Sequence, residues 1–291
     1  MKKLLDDFDF DKVSSDLIAK FKTKMLDKDF LKYVNELDHS DSYLFINEIE
    51  NSILERRNCI DCKGLSECNN LVKGHKYFVK NVNNKIIEYY KTCEFSKKKE
   101  YLQNISTYNS IKSVNFDIKE HNFYHAKERD EIMKYMSTIL NNDLLINKGI
   151  YLSGSFGVGK SYIMSLFVKS LAKKGYKCAY IYVPQLLVEL KTEFNSNSQS
   201  ILDDIKRKEV LILDDIGAEK VSEWSRDEIL GTILQYRMDN KLFTCFSSNY
   251  SICNLLEHYN NDKKLVNSRR IVDRIEYLSK EFKLVGENYR K

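Results

Sequence analysis

The sequence contains no apolar run long enough to span a membrane, so neither a transmembrane segment nor a membrane partner is expected. It also lacks a leader signature. Met1-Lys2-Lys3 gives way almost at once to acidic residues, which is not the pattern of a signal peptide. A cytoplasmic protein follows, and in that reducing compartment the seven cysteines are expected as thiols or metal ligands rather than disulfides. A strong net charge is missing too. At +5 for 291 residues the balance permits contact with nucleic acid without demanding it. The single proline, beside abundant Lys, Asn, Ile and Tyr, has the look of an AT-rich genome's codon bias and carries no functional message. The length accommodates a full α/β domain and a smaller second one.

Against this background one stretch stands out. Gly154-Ser155-Phe156-Gly157-Val158-Gly159-Lys160-Ser161 fits the pattern G-x-x-x-x-G-K-[ST] at every position. Glycines let successive backbone N–H groups turn inward around phosphate oxygens, and the following helix adds its positive end. Lys160 can then reach the β- and γ-phosphates, and the Ser161 hydroxyl is placed to hold Mg²⁺. The flanks agree: Gly149 to Ser153 reads as a buried strand, and Ile163, Leu166, Phe167 and Leu171 recur at helical spacing until Gly175. An ATP site with Mg²⁺ is the expectation.

Further on, Cys178 to Val183 is of strand type and is stopped by Pro184, which suits the first turn of a helix. Val210-Leu211-Ile212-Leu213 then delivers Asp214 and Asp215 to a strand end. Asp214 would hold Mg²⁺ and Asp215 would polarise the attacking water. A further strand, Leu242 to Ser247, ends in Ser248-Asn249, where a neutral amide can orient water near a γ-phosphate. Arg269, Arg270, Arg274 and Arg290 follow; singly, each reads as a surface charge.

The amino-terminal part is different. Up to about residue 57 it is charged, with apolar positions at helical spacing such as Val13, Leu17 and Phe21, then Phe30, Tyr33, Val34 and Leu37, which predicts a small helical region. The first 58 residues hold no cysteine; Cys59, Cys62, Cys68, His75 and Cys93 then fall within 35 positions. A structural zinc site suits that clustering, because Zn²⁺ takes four N or S ligands and a C-x-x-C turn supplies two. Five candidates compete for four places. Cys59, Cys62, His75 and Cys93 are preferred, with Cys68 read as a small core residue of a helix from Leu65 to Leu71. Residues 96–125 lose periodicity and read as an interdomain linker, followed by a helix from about Ala126 to Leu140. The predicted plan is therefore 1–95 helical and zinc-binding, 96–125 linker, and 126–291 nucleotide-binding.

Taken together, the loop at 154–161, Leu211 to Glu219, Trp224-Ser225-Arg226-Asp227-Glu228, Ser247-Ser248-Asn249 and Arg270-Ile271-Val272-Asp273-Arg274-Ile275 resemble the bacterial replicative helicase loaders of the DnaC/DnaI type. The resemblance is close over 126–291, and it extends to the cysteine-bearing region, which is similar to the family's zinc-binding, helicase-interacting domain. It implies an α/β AAA+ core with a parallel sheet in 5-1-4-3-2 order and no large carboxyl-terminal lid. It also implies Asn249 as sensor 1, Arg274 as an arginine finger offered to a neighbouring subunit, Arg290 as sensor 2, and slow ATP hydrolysis used as a switch. The partners it implies are the replicative helicase, single-stranded DNA and other primosome proteins, with self-assembly on the helicase. The rival reading is a transposase helper ATPase, which shares the core motifs.

Overall fold

The computed structural model describes residues 14–107, 127–142, 148–192, 197–260 and 265–288. The chain divides into two compact units, Met1–Glu100 and Tyr101–Lys291.

In the first unit three helices, α1 (Ser15–Lys24), α2 (Lys28–Leu37) and α3 (Ile46–Asn58), precede an antiparallel hairpin of β1 (His75–Val82) and β2 (Lys85–Thr92). Local chemistry sets the boundaries. Asp27 caps α2 by accepting from the Asp29 and Phe30 amides at 2.8 and 3.2 Å, and Asp38 ends it in the left-handed conformation. Phe21, Phe30, Tyr33, Val34, Ile46 and Ile49 close a small core against Tyr77 and Val79 of β1. The free edge of β1 is sealed by side chains instead of a third strand. Tyr33 Oη accepts from the Val79 amide at 3.0 Å, Ser52 Oγ donates to the Tyr77 carbonyl at 2.9 Å, and Glu55 accepts the Tyr77 amide at 2.5 Å.

The helical expectation for this region therefore needs correction. The hairpin turns through Asn83 and Asn84, whose φ values of 50° and 62° are those of a tight mirror-image turn. The helix expected from Leu65 to Leu71 is only a 3₁₀ turn, Leu65–Glu67. Residues 96–102, expected as linker, lie in a helix, α4 (Glu94–Leu102), and Ile105–Ser106 form a strand, β3. The rest of the expected linker falls outside the described residues.

The second unit carries α5 (Lys127–Asn141), β4 (Gly149–Gly154), α6 (Lys160–Lys173), β5 (Cys178–Tyr182), α7 (Val183–Thr192), α8 (Asn197–Arg207) and β6 (Val210–Asp214). A π-helical segment, Trp224–Leu230, runs directly into α9 (Gly231–Asp239); β7 (Phe243–Ser248), α10 (Ile252–Tyr259), α11 (Leu265–Leu278) and β8 (Ser279–Leu284) complete it. All the strands pair in parallel, in the order β3-β5-β6-β7-β4-β8. The five strands from Gly149 onward thus run fifth-first-fourth-third-second, and β3 adds a sixth strand beyond the five expected.

These strands read as unbroken apolar runs because both faces of the sheet are covered. Ile150, Leu152, Tyr180 and Ile212 pack under α5 and α6, while Tyr151, Ile181, Leu211, Leu213 and Phe246 pack under the helices of the other face. Fully buried Arg237 ties the end of α8 to β7, donating to the Lys208 and Phe243 carbonyls at 2.8 and 2.6 Å and to Thr244 Oγ1 at 2.7 Å. That clamp joins the amino-terminal ends of β6 and β7, whose other ends lead into the acidic pair and Asn249.

Candidate nucleotide site

β4 ends at Gly154, beside the Leu284 carbonyl of β8; a Cβ at Gly154 would lie 2.4 Å from that oxygen, so only glycine lets the two strands approach. The loop then turns through Gly157 and Gly159, with φ of 78° and 97°, and Gly159 becomes the residue from which α6 starts. Val158 anchors the turn in the core, its carbonyl accepting from Arg129 Nη2 at 3.3 Å. Phe156 stands out at 70% exposure.

Lys160, the first residue of α6, is buried and donates to the Gly154 carbonyl at 2.8 Å, the Ser155 carbonyl at 2.9 Å and Asn249 Oδ1 at 2.7 Å. Asn249 turns its Nδ2 to Asp215 Oδ1 at 2.9 Å, so one carboxamide bridges the lysine and the second acid. Ser161 Oγ donates to Asp214 Oδ1 at 3.0 Å. The structure thus gathers Lys160, Ser161, Asp214, Asp215 and Asn249 from two strand ends and one helix start.

Two residues of this site escaped the sequence reading. Ser247 Oγ donates a short hydrogen bond to Asp214 Oδ1 and accepts the Asp215 amide at 3.0 Å, so it holds both acids. Tyr180 is buried beside Asp214 and donates to the Ser161 carbonyl at 3.3 Å. Burial pushes the Asp214 carboxyl above its usual range, while hydrogen bonds from Ser247, Tyr180 and Ser161 pull it back. Burial, reinforced by Asp214, drives the Tyr180 phenol well above its ordinary value, which keeps it a donor. Asp215 sits at φ 60°, a strained setting held by its amide bond to Ser247 and its carboxylate bond to Asn249.

The other predicted residues lie apart from this cluster. Arg274, on α11, donates from Nη1 to the Gly231 carbonyl at 2.9 Å, at the junction of the π segment and α9; burial first and Arg270 second lower its pKa. Arg290 lies outside the described residues. Among the described residues no group of three His, Cys, Asp or Glu side chains is disposed to hold a metal ion. The cysteine candidates nonetheless border one segment. Cys59 Sγ accepts from Asn70 Nδ2 at 3.5 Å, Cys68 Sγ accepts from the Gly74 amide at 3.5 Å, and the Cys93 amide donates to the Gly74 carbonyl at 2.7 Å. Cys62 Sγ faces the Gly64 carbonyl, and the His75 ring nitrogen Nδ1 meets the Lys73 carbonyl at 3.2 Å.

A doubly covered parallel sheet with a glycine loop, a lysine at the helix start and paired acids on the next strand but one defines a phosphate-loop nucleotide-binding domain. The profile of the family described as IstB-like ATP binding protein matches residues 84–291, and the chain belongs to that family. It is 34% identical over 257 residues to the replicative helicase loader DnaI of Bacillus subtilis (strain 168), covering 84% of this chain and 82% of that one. A solved crystal structure of DnaI superposes with a TM-score of 0.56 at 33% identity, covering 65% of this chain and 98% of that chain. An ATP-binding protein of insertion sequence IS1162 from Pseudomonas fluorescens is 28% identical over 102 residues, 34% of this chain and 44% of the other. The AAA+ core expected from the motifs is the fold of the second unit. No helix among the described residues is long and apolar enough to cross a membrane.

Proposed function

We propose that this protein is an ATP-switched loader that binds a ring-shaped replicative helicase and delivers it onto single-stranded DNA during primosome assembly in the cytoplasm. One observation carries the reading: the similarity to DnaI runs over 257 residues, longer than the whole second unit, and so enters the first. The similarity to the insertion-sequence protein spans 102 residues only, which is why the transposase-helper reading takes second place.

In this reading the phosphates of ATP lie in the cradle of Gly154 to Gly159, and Lys160 exchanges a carbonyl partner for a phosphate oxygen. Ser161 and Asp214 would hold Mg²⁺, which supplies charge neutralisation on the β- and γ-oxygens. Asp215, held by Asn249 and Ser247, would polarise the attacking water. Arg274 would act on a neighbouring subunit's nucleotide, and Arg290 on its own. Hydrolysis works as a switch, since contacts that need the γ-phosphate vanish with it. In the first unit the thiols of Cys59, Cys62 and Cys93, with His75 or Cys68, are the donors for a structural Zn²⁺. Their support is donor chemistry: soft sulfurs that border one hairpin end and accept N–H bonds.

The test is co-purification of the full chain with the same organism's replicative helicase, with and without ATP and Mg²⁺. Nucleotide-sensitive capture is the expected result. Failure to bind the helicase, together with capture of a transposase, would hand the function to the rival.

A further inference from the structure

The hairpin of the first unit has two unlike faces. Antiparallel partners share a side, so Tyr77 and Val79 of β1 face the core, and the alternate positions face away from it. On that outer side Lys76 stands opposite Lys91, Phe78 opposite Tyr89 and Lys80 opposite Ile87; Val82 and Lys85 flank the turn. Four of these eight positions are lysines and none is acidic. Among the described residues none of the four enters an ion pair. Glu88, the hairpin's acid, belongs to the other face, where it accepts from Tyr77 Oη at 2.6 Å.

The aromatic pair is arranged as a platform. Phe78 and Tyr89 lie nearly parallel, 17° between planes and 5.5 Å between centroids, and the Arg56 guanidinium sits 5.0 Å from the Phe78 ring. Phe78 and Tyr89 thus form a stacked pair beside the Arg56 guanidinium, which also lies 4.4 Å from the Tyr33 ring, and Tyr89 and Ile87 remain 38% and 43% exposed. A rigid strand pair with stacked rings at its centre and lysines one alternate position away, about 7 Å along the strands, matches an unpaired polynucleotide. Bases offer π-faces to the stack and phosphates meet the ammonium groups. A duplex hides its bases and could use only the lysines.

We propose that the outer face of this hairpin binds single-stranded nucleic acid, a contact located in the first unit and independent of the ATP site. It goes beyond the loader reading, which names such DNA as cargo without assigning any residue of this unit to it.

The test measures fluorescence anisotropy of a labelled oligo-dT of about 20 nucleotides against the full chain over a series of salt concentrations. The triple variant Lys76→Gln, Lys80→Gln, Lys91→Gln should bind more weakly, and the slope of log K against log salt should flatten by about 0.7 per lysine removed. Tyr89→Leu should weaken binding by roughly five- to hundredfold with the slope kept, and a duplex of equal length should bind less tightly than the single strand. Melting temperature and ATP binding are read on each variant. As a check that needs no variant, an oligonucleotide bearing 5-iododeoxyuridine is photocrosslinked to the wild-type chain and mapped; crosslinks at Tyr89 or Phe78 are expected. Unchanged affinity and slope in the triple variant, or crosslinks confined to residues after 101, would overturn the proposal. So would variants that keep DNA binding but lose the helicase, because the face would then be a protein-docking surface. The helicase co-purification above fails or succeeds separately, so the two readings can be told apart.

Discussion

Asp214 is held where water cannot reach it, 5% exposed and surrounded by hydroxyls rather than by a cation. An acid whose folded pKa lies above its unfolded value is a burden once ionised. The burden is absent below the unfolded value of about 3.9, grows as pH rises through the folded value, and is full above it. Asp214→Asn keeps the acceptor for Ser161 and Ser247 without the charge. It is therefore expected to raise stability without Mg²⁺ by about 1 kcal/mol at neutral pH, with the gain fading in acid, and to abolish Mg²⁺-dependent ATP turnover. Thermal melting across pH, beside an ATPase assay, checks both; a variant less stable than wild type at pH 7 would refute the account. The sequence displayed Asp214 and its partner Ser161 but not the roles of Ser247 and Tyr180. Gly154 to Ser161 is one contiguous stretch whose chemistry is written in order, whereas Ser247 and Tyr180 reach the site only because β7 and β5 flank β6, an adjacency that no local pattern records.

The same distinction separates the elements that could be read from those that could not. Strands covered on both faces gave long apolar runs, and their order with the helices was plain. In β2 only Ile86 and Thr92 are even partly shielded from solvent, so lysines and tyrosines hid its alternation; α4 buries no residue fully, and its Lys97-Lys98-Lys99 run looked like linker. α11 shows a further gap between motif and geometry. Its Arg274 is tied to the Gly231 carbonyl of its own chain, yet the family resemblance assigns it to a neighbour's ATP. If it crosses to a neighbour, Arg274→Ala should spare ATP binding by a single chain while hydrolysis falls, by as much as about 10³-fold if it matches known arginine fingers. Mixing that chain with Lys160→Ala, which keeps the arginine and lacks the phosphate contact, should restore part of the activity. Absence of any recovery in a demonstrated mixed assembly would confine Arg274 to anchoring α11 against α9.

The two units differ in how they could be stabilised. The second has a core on each face of a six-stranded sheet, while among the described residues the first encloses twelve buried apolar side chains in one cluster, a small core by comparison. A metal would add directly to the folding free energy of the first unit alone. Protein prepared without chelator is expected to carry about one zinc per chain, and chelation should melt the first unit while ATP binding by the second persists. Metal analysis that finds none would remove zinc from the account. The chain also enters the sheet in a particular way. Among the described residues β3 is only two residues long, lies at the edge, and pairs with β5 through Ile105 and Ser106. Under tension from a moving partner attached to residues 14–100, that pairing would be the first to carry load, and so short an edge clip should let go before the longer strands behind it. In a force–extension trace it would act as a weak mechanical fuse, opening at low force and reclosing when the load is removed, with the nucleotide site undisturbed.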